Sequence, residues 1–115
     1  MNERRRRRGA ANELVTIFWR DIPAQVTTSI AGNKGSWLLD ERFQTAIDAA
    51  ATVSGLTDAD DYVLEWRRVA EPLEPADDAE AVARSRAERL HDLYPPERVR
   101  SLVANGGNEP ESITP

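Results

Sequence analysis

The most apolar stretch of the chain runs from Leu14 to Val26 and combines β-branched with aromatic residues. This composition predicts a strand from Glu13 to Arg20, which Pro23 ends because proline cannot donate a hydrogen bond within a sheet. Side chains alternate across a strand. One face therefore carries Val15, Ile17 and Trp19, and the other carries Leu14, Thr16 and Phe18. Because both faces are largely apolar, we expect an interior strand.

A hairpin is predicted to follow. Apolar and polar residues alternate from about Ala24 to Ala31, which indicates a strand with one buried and one wet face. The buried face carries Val26, Thr28 and Ile30, and the wet face carries Gln25, Thr27 and Ser29. We place the turn at Gly32–Gly35, because glycine and asparagine tolerate positive φ. Residues Trp37 to Leu39 then return as a short strand.

Helical spacing replaces the alternation in the next segment. Asp40 is a suitable N-cap and Gly55 a suitable stop, so the sequence predicts a helix from Asp40 to Ser54. The residues at helical spacing that form its buried stripe are Leu39, Phe43, Ile47 and Ala50. Gln44 and Asp48 lie four residues apart on the opposite, exposed face.

The stretch Tyr62–Val69 fits two kinds of element. A strand would turn Tyr62, Leu64 and Trp66 inward, whereas a helix would align Tyr62, Trp66 and Val69. Its β-rich composition favours the strand. The remaining predictions are a linker over Glu71–Asp78, a helix capped by Asp77 or Asp78 that ends near Leu93, and a short helix from Glu97 to Ala104.

The predicted fold class is α+β, with a small, mostly antiparallel sheet covered by two helices. We expect a disordered basic arm over residues 1–12, a single domain over residues 13–104 and a disordered polar tail over residues 105–115. The chain of 115 residues is long enough for one modest core. The predicted core residues are Val15, Ile17, Trp19, Phe43, Ile47 and Trp66.

Charge is distributed unevenly along the chain. Residues 1–9 carry five Arg and one Glu, a charge of +4. Since the net charge of the whole chain is −5, residues 10–115 carry −9. An acidic domain repels nucleic acid and anionic membranes, so we do not expect nucleic-acid binding. The alternative is that the run Arg4–Arg8 contacts nucleic acid. The apolar runs are too short for a membrane helix, and Glu13 interrupts any secretory signal, so we expect a cytoplasmic protein.

No strong chemical motif marks a catalytic, cofactor or metal site. The chain has no cysteine, which excludes disulfides, thiolate catalysis and thiolate metal sites. The order Lys-Gly-Ser at Lys34 does not match a phosphate-binding loop. The acidic turn Asp58–Asp61 lacks the glycine and glutamate of an EF-hand, although a site built from scattered carboxylates stays open. His91 has no nucleophile at useful spacing, and we expect it at the surface. We expect a protein without enzymatic activity or cofactor.

Four motifs nevertheless resemble one family. They are residues 19–26 (WRDIPAQV), residues 42–44 (RFQ), residues 46–50 (AIDAA), and Tyr62 with residues 66–68 (WRR). In this order, over about residues 13–69, the chain resembles the bacterial virulence factor domain. That domain also occurs in conserved virulence factor C-like proteins, joined to HEAT-like helical repeats. The resemblance implies contact with a protein partner, such as a helical-repeat protein, and supplies no catalytic residue, cofactor or substrate.

Polar residues embedded in these core-forming motifs suggest a binding surface, because folding alone does not require them there. The predicted interaction patch consists of Arg20, Asp21, Gln25, Gln44, Asp48, Arg67 and Arg68. Each Trp-Arg pair could form a cation–π contact, or simply place a buried Trp beside an exposed Arg. We therefore expect a non-catalytic protein-interaction or regulatory module. The alternatives are an accessory subunit of a cofactor-dependent enzyme system and nucleic-acid contact through the arm.

Overall fold

A computed structural model describes residues 12–56 and 58–109. Over these residues the chain forms an antiparallel sheet in the order β3-β2-β1-β4, together with helices, which confirms the α+β class. The strands are β1 (Glu13–Trp19), β2 (Ile22–Ile30), β3 (Asn33–Leu38) and β4 (Trp66–Pro72). The helices are α1 (Glu41–Ser54), α2 (Ala59–Val63), α3 (Ala79–Leu93) and α4 (Pro96–Ala104). None of the helices in the described ranges is long and apolar enough to cross a membrane.

The first hairpin is tighter than the sequence predicts. Strand β1 ends at Trp19, a two-residue turn of Arg20 and Asp21 follows, and β2 already begins at Ile22. The prediction that Pro23 ends a strand was wrong. The pairing register shifts beside Pro23 and leaves Ala24 without a partner in β1. A bulge of this kind tolerates proline within a strand, because the ladder is already interrupted there.

The second turn lies earlier than predicted. Ala31 and Gly32 have φ values of 53° and 86°, and Asn33 already pairs with Ile30. Gly35 is not a turn residue but lies within β3. A Cβ at Gly35 would collide with the backbone of Ala79, so this glycine lets helix α3 approach the sheet closely. Its role depends on a residue 44 positions away, which local sequence does not reveal.

The two faces of the sheet differ in what covers them. The inner face carries Leu14, Thr16, Val26 and Thr28, which pair across β1 and β2 and are buried. Helix α3 lies on this face, where the Thr28 hydroxyl donates a hydrogen bond of 2.6 Å to the carbonyl oxygen of Ala79. The residues that pair on the opposite face, which we call the outer sheet face, are Glu13, Val15, Ile17, Gln25, Thr27, Ser29, Lys34, Ser36, Leu38, Arg68, Ala70 and Pro72.

The predicted core was correct in part. Val15, Trp19, Phe43 and Ile47 are buried, whereas Ile17 and Trp66 are only half-buried. Leu14, which the sequence assigned to the other face of β1, is 1% exposed and belongs to the main core cluster. Both faces of β1 thus carry buried residues, as expected for an interior strand, and the predicted core omitted Leu14.

Helix α1 has the predicted ends. The Asp40 carboxylate accepts a hydrogen bond from the backbone N–H of Glu41, and Gly55 adopts the left-handed conformation that ends the helix. The buried side of the helix packs against α4 and the sheet. Its buried residues are Phe43, Ala46, Ile47, Ala50 and Ala51. The Phe43 ring lies 5.5 Å from the ring of His91 and 6.3 Å from that of Tyr94.

The strand predicted over Tyr62–Val69 was wrong in its first half. Residues Ala59–Val63 form helix α2, whose N-cap Asp58 accepts a hydrogen bond from the Asp60 N–H. Leu64, predicted to point inward, is 77% exposed. Local capping thus prevails over the β-rich composition. Strand β4 begins at Trp66 and continues to Pro72, into the predicted linker, because these residues pair with β1.

The last two helices lie where the sequence predicts them. Residues on either side of the predicted domain also contact it. Asp78 caps α3, and α4 begins at Pro96. Asn12, assigned to the arm, accepts hydrogen bonds from the N–H groups of Ala31 and Leu73. Residues 105–109, assigned to the tail, pack against the first hairpin. Residues 1–11 and 110–115, with the Arg4–Arg8 run, lie outside the described residues.

Truncation of the Phe43 side chain tests the core. Phe43 is 1% exposed and contacts two aromatic rings, so Phe43→Ala should lower the free energy of unfolding by about 3–5 kcal/mol. Chemical denaturation measures this change. The neighbouring Gln44→Ala is the matched control, because Gln44 is exposed and its removal should change stability by less than about 0.5 kcal/mol. Equal stability of the two variants would contradict the orientation of α1.

Acidification tests the link between β4 and α3. Arg86 donates two hydrogen bonds, of 2.7 and 3.0 Å, to the Glu71 carboxylate, and this lowers the pKa of Glu71 below its ordinary value of 4.5. A lowered carboxylate pKa contributes stability above the unfolded pKa, and this contribution is lost as the pH falls through the folded pKa. The free energy of unfolding, measured by chemical denaturation between about pH 7 and about pH 3, should therefore fall more steeply for the native chain than for Glu71→Gln. Parallel curves would mean that the pair contributes nothing.

Candidate functional site

The structure divides the seven predicted patch residues among three places. Arg20, Asp21 and Arg67 meet at the turn between β1 and β2. Gln44 and Asp48 lie on the exposed side of α1, where the Gln44 side-chain amide donates a hydrogen bond of 3.2 Å to the Asp48 carboxylate. The outer sheet face carries the other two, Gln25 and Arg68. The patch as a whole stays a prediction, and each place has its own chemistry.

Arg20 fastens two distant segments to the first hairpin. Its guanidinium donates hydrogen bonds of 3.0 Å to the Glu65 carboxylate and 2.9 Å to the carbonyl oxygen of Gly106. The same group lies 5.3 Å from the ring centroid of Trp19. Arg20 has a φ of 53°, a conformation that glycine usually occupies in such turns. These contacts use two of the five N–H donors of the guanidinium within the chain itself.

Asp21 completes this arrangement on the other side of the turn. Its carboxylate accepts hydrogen bonds of 2.9 Å from the Arg67 guanidinium and 2.7 Å from the backbone N–H of Glu109. Arg67 also donates to the carbonyl oxygen of Arg20 and lies 4.6 Å from the ring centroid of Phe18. We call Arg20, Asp21, Glu65, Arg67 and residues 106–109 the turn cluster. It holds the segment after α4 against the hairpin.

A third ion pair joins the turn cluster through Glu109. Arg98 donates a hydrogen bond of 2.7 Å to the Glu109 carboxylate and lies 4.0 Å from the ring centroid of Tyr94. Burial raises the pKa of Tyr94, with the positive charge of Arg98 opposing this effect. The phenol is therefore protonated near neutral pH and cannot serve as a general base there.

Two of the patch residues, Gln25 and Gln44, line a groove that we call the Trp66 groove. It has a volume of about 420 Å³ and lies between the end of the outer sheet face and the first turn of α1. Its lining residues are Ile17, Ala24, Gln25, Leu38, Leu39, Glu41, Gln44 and Trp66. Leu38, at the end of β3, is 70% exposed. The sequence predicts a strand at Leu38, but the exposure of the Leu38 side chain depends on where β3 ends.

The outer sheet face continues from the Trp66 groove along the strands. Another cavity of about 300 Å³ lies there, and the charged side chains that line it are Glu13, Lys34 and Arg68. Its lining also contains Val15 and the hydroxyl-bearing residues Thr27, Ser29 and Ser36. The groove and this cavity together form a surface with an apolar end and a polar end.

His91 is not the surface residue that the sequence predicts. It is half-buried, and its Nε2 accepts a hydrogen bond of 2.9 Å from the backbone N–H of Asp40. The imidazole thus links the start of α1 to the end of α3. Within the described ranges, no cluster of His, Asp and Glu is arranged to hold a metal ion.

The turn cluster can be tested through stability. Arg20→Ala removes two side-chain hydrogen bonds and leaves Glu65 without its guanidinium partner, so the free energy of unfolding should fall by about 1–3 kcal/mol. Arg68→Ala is the matched control, because Arg68 is exposed on the outer sheet face and its loss should cost less than about 0.5 kcal/mol. Chemical denaturation compares the two. Native stability in Arg20→Ala would show that the cluster does not hold the fold together.

Comparison with known proteins supports the resemblance seen in the motifs. A family model described as virulence factor matches residues 17–103, well over half of the chain. The match begins within β1 and reaches into α4, so it extends beyond the segment that carries the recognisable motifs. No curated protein and no solved structure matches the chain at a significant level. The chain belongs to the virulence factor family.

Proposed function

We propose that the protein is a non-catalytic protein-interaction module of the bacterial cytosol, and that the Trp66 groove and the outer sheet face together are its binding surface. The observation that carries this proposal is the groove itself. It joins an exposed leucine, Leu38, and a half-buried tryptophan, Trp66, to two of the predicted patch residues, Gln25 and Gln44.

The composition of the groove matches that of protein interfaces. Such interfaces have an apolar centre, often containing an aromatic residue, surrounded by a polar rim. Ile17, Leu38 and Trp66 supply apolar surface, and the amides of Gln25 and Gln44 lie beside them. A partner that inserts an apolar side chain would bury this surface, while its polar groups would find hydrogen-bonding partners at the rim.

An enzymatic site would call for different features. Catalytic acids and bases occupy pockets where burial or neighbouring charges shift their pKa values. Among the described residues, the groups with shifted pKa values are Glu71, Arg86, Tyr94 and Arg98. They lie in the β4–α3 ion pair and beside the turn cluster, and none of them lines the Trp66 groove. The groove is lined mainly by apolar side chains and by the amides of Gln25 and Gln44, which supports a binding role.

Site-specific photo-crosslinking in the native host tests the proposal. A photoreactive benzoylphenylalanine in place of Leu38 should yield a discrete covalent adduct with a protein, because this position lies at the mouth of the groove. The same residue in place of Leu64 is the matched control, since Leu64 is also an exposed leucine but lies outside the groove. Equal labelling at both positions, or no adduct at either, would refute a binding role for the groove.

The identity of the adduct also separates the remaining alternatives. An adduct with an enzyme subunit would favour the accessory-subunit function, and an adduct with a helical-repeat protein would favour the partner that the family resemblance implies. An adduct with a second copy of the chain would show self-association.

A further inference from the structure

We propose that the edge of strand β4 pairs with β4 of a second copy of this chain, which joins two sheets into one continuous sheet. The inference goes beyond the proposed function, because it concerns the backbone edge of β4 and does not need the Trp66 groove to bind a partner. It is carried by the free backbone groups of β4 and by the charges of that strand, which are complementary when the strand is paired antiparallel with itself.

Strand β4 has one edge that is open to a partner. It pairs with β1 on one side, and within residues 12–56 and 58–109 no strand pairs with it on the other. Residues 67–70 of the strand are exposed. Helix α3 packs against β2 and β3, whereas β4 packs chiefly against β1. Such an edge presents unpaired N–H and C=O groups, and an extended strand is the partner that satisfies them.

The ladder between β1 and β4 shows which of these groups are free. The N–H of Leu73 donates to the carbonyl oxygen of Asn12 at 3.2 Å, and the N–H of Arg20 donates to that of Glu65 at 3.0 Å. Bonded and non-bonded pairs alternate along an antiparallel ladder, so the odd-numbered residues of β4 point their backbone groups towards β1. The residues whose N–H and C=O groups point to the open edge are Trp66, Arg68 and Ala70.

Antiparallel pairing of β4 with itself, centred on Val69, brings opposite charges together. Arg67 of one copy then faces Glu71 of the other, twice, on the inner face. Arg68 of each copy faces Ala70 of the other, and these two residues exchange both backbone hydrogen bonds. Val69, which is 40% exposed in the single chain, would lie against Val69 of the second copy.

Other registers lack this complementarity. The smallest shift that keeps the free backbone groups of both strands opposite each other is two residues. A shift in one direction places Arg68 opposite its own copy and Glu71 opposite Glu65, which brings like charges together. A shift in the other direction places Glu71 opposite Val69 and leaves Arg67 without an acidic partner. The charges of the strand therefore favour the register centred on Val69.

The charged residues of β4 have bonding capacity left for a second copy. Arg67 donates to the carbonyl oxygen of Arg20 and to the Asp21 carboxylate, which uses two of the five N–H donors of its guanidinium. Each oxygen of the Glu71 carboxylate accepts one hydrogen bond from Arg86, and a carboxylate has about four acceptor sites. Pairing across the two-fold axis would thus join the existing ion pairs of both copies into one network.

The mass of the protein in solution tests the dimer directly. Sedimentation and light scattering of the full chain, over a range of concentrations, should show a mass that rises from 12.8 kDa towards twice that value. Ala70→Pro should abolish this rise, because the N–H of Ala70 points to the open edge and its loss removes no bond to β1. Ser36→Pro is the matched control, since its N–H points to the free edge of β3, the other edge strand. Circular dichroism verifies that both variants fold.

Disulfide formation tests the register with a second, independent measurement. The chain has no cysteine, so Val69→Cys introduces a single thiol. The two copies of this residue would form a non-hydrogen-bonded pair with Cα atoms about 4.5 Å apart, which a disulfide can bridge, so mild oxidation should give a covalent dimer. Ala70→Cys is the matched control, because its two copies would be more than about 7 Å apart. Equal yields of covalent dimer from the two variants would refute the register.

The outcomes separate this inference from the proposed function. If the native chain remains monomeric at every concentration, the dimer is refuted, and the cross-linker at Leu38 decides the binding role independently. If a photoreactive residue in place of Arg68 then captures a different protein, the edge accepts a foreign strand instead of a second copy. A dimer that survives Ala70→Pro forms through another surface, which equally refutes the inference. A dimer that Ala70→Pro abolishes, with no adduct at Leu38, supports the inference and refutes the binding role of the groove.

Discussion

The complete burial of Trp19 is the constraint on which the rest of the structure depends. Trp19 ends β1, is 0% exposed, and donates a hydrogen bond of 2.9 Å from its indole Nε1 to the carbonyl oxygen of Tyr62. Its ring stacks on that of Tyr62 and lies so close to Gly107 that a Cβ there would contact it at 2.9 Å. One side chain therefore brings the sheet, α2 and the segment after α4 together, and the turn cluster surrounds it with ion pairs and hydrogen bonds.

The features that the sequence predicts well are those with local causes. Asp40 and Gly55 bound α1 because capping is decided within one turn of the helix. Gly35 illustrates the opposite case, since its neighbour Ala79 is far along the chain and only the tertiary structure shows why a side chain is not allowed there. Asp58 is intermediate: its capping of α2 is local, but the apolar residues after it have a strand-like composition.

The candidate site could also be predicted only in part, because the partners of its polar residues are distant in sequence. Polar residues within apolar motifs are consistent with a partner outside the chain and equally with a partner inside it. For Arg20 and Asp21 the structure supplies internal partners at Glu65, Gly106 and Glu109, which are remote in sequence. Gln25 and Gln44 instead lie beside apolar surface in the Trp66 groove. Residue type alone could not separate these two groups, because the distinction depends on which distant segments return to the hairpin.

The turn cluster and the Trp66 groove share strands β1 and β4, so a variant in one site can change the other. Arg67 of the cluster and Trp66 of the groove are neighbours in β4, and Ile17 lies two residues before Trp19 in β1. A variant that loosens the hairpin will therefore also move the floor of the groove. Loss of binding in Arg20→Ala would not by itself identify Arg20 as a contact residue, since the fold that shapes the groove would be weakened as well. Leu38 is exposed and lines the groove, so loss of binding in Leu38→Asp at native stability would indicate that the partner contacts the groove.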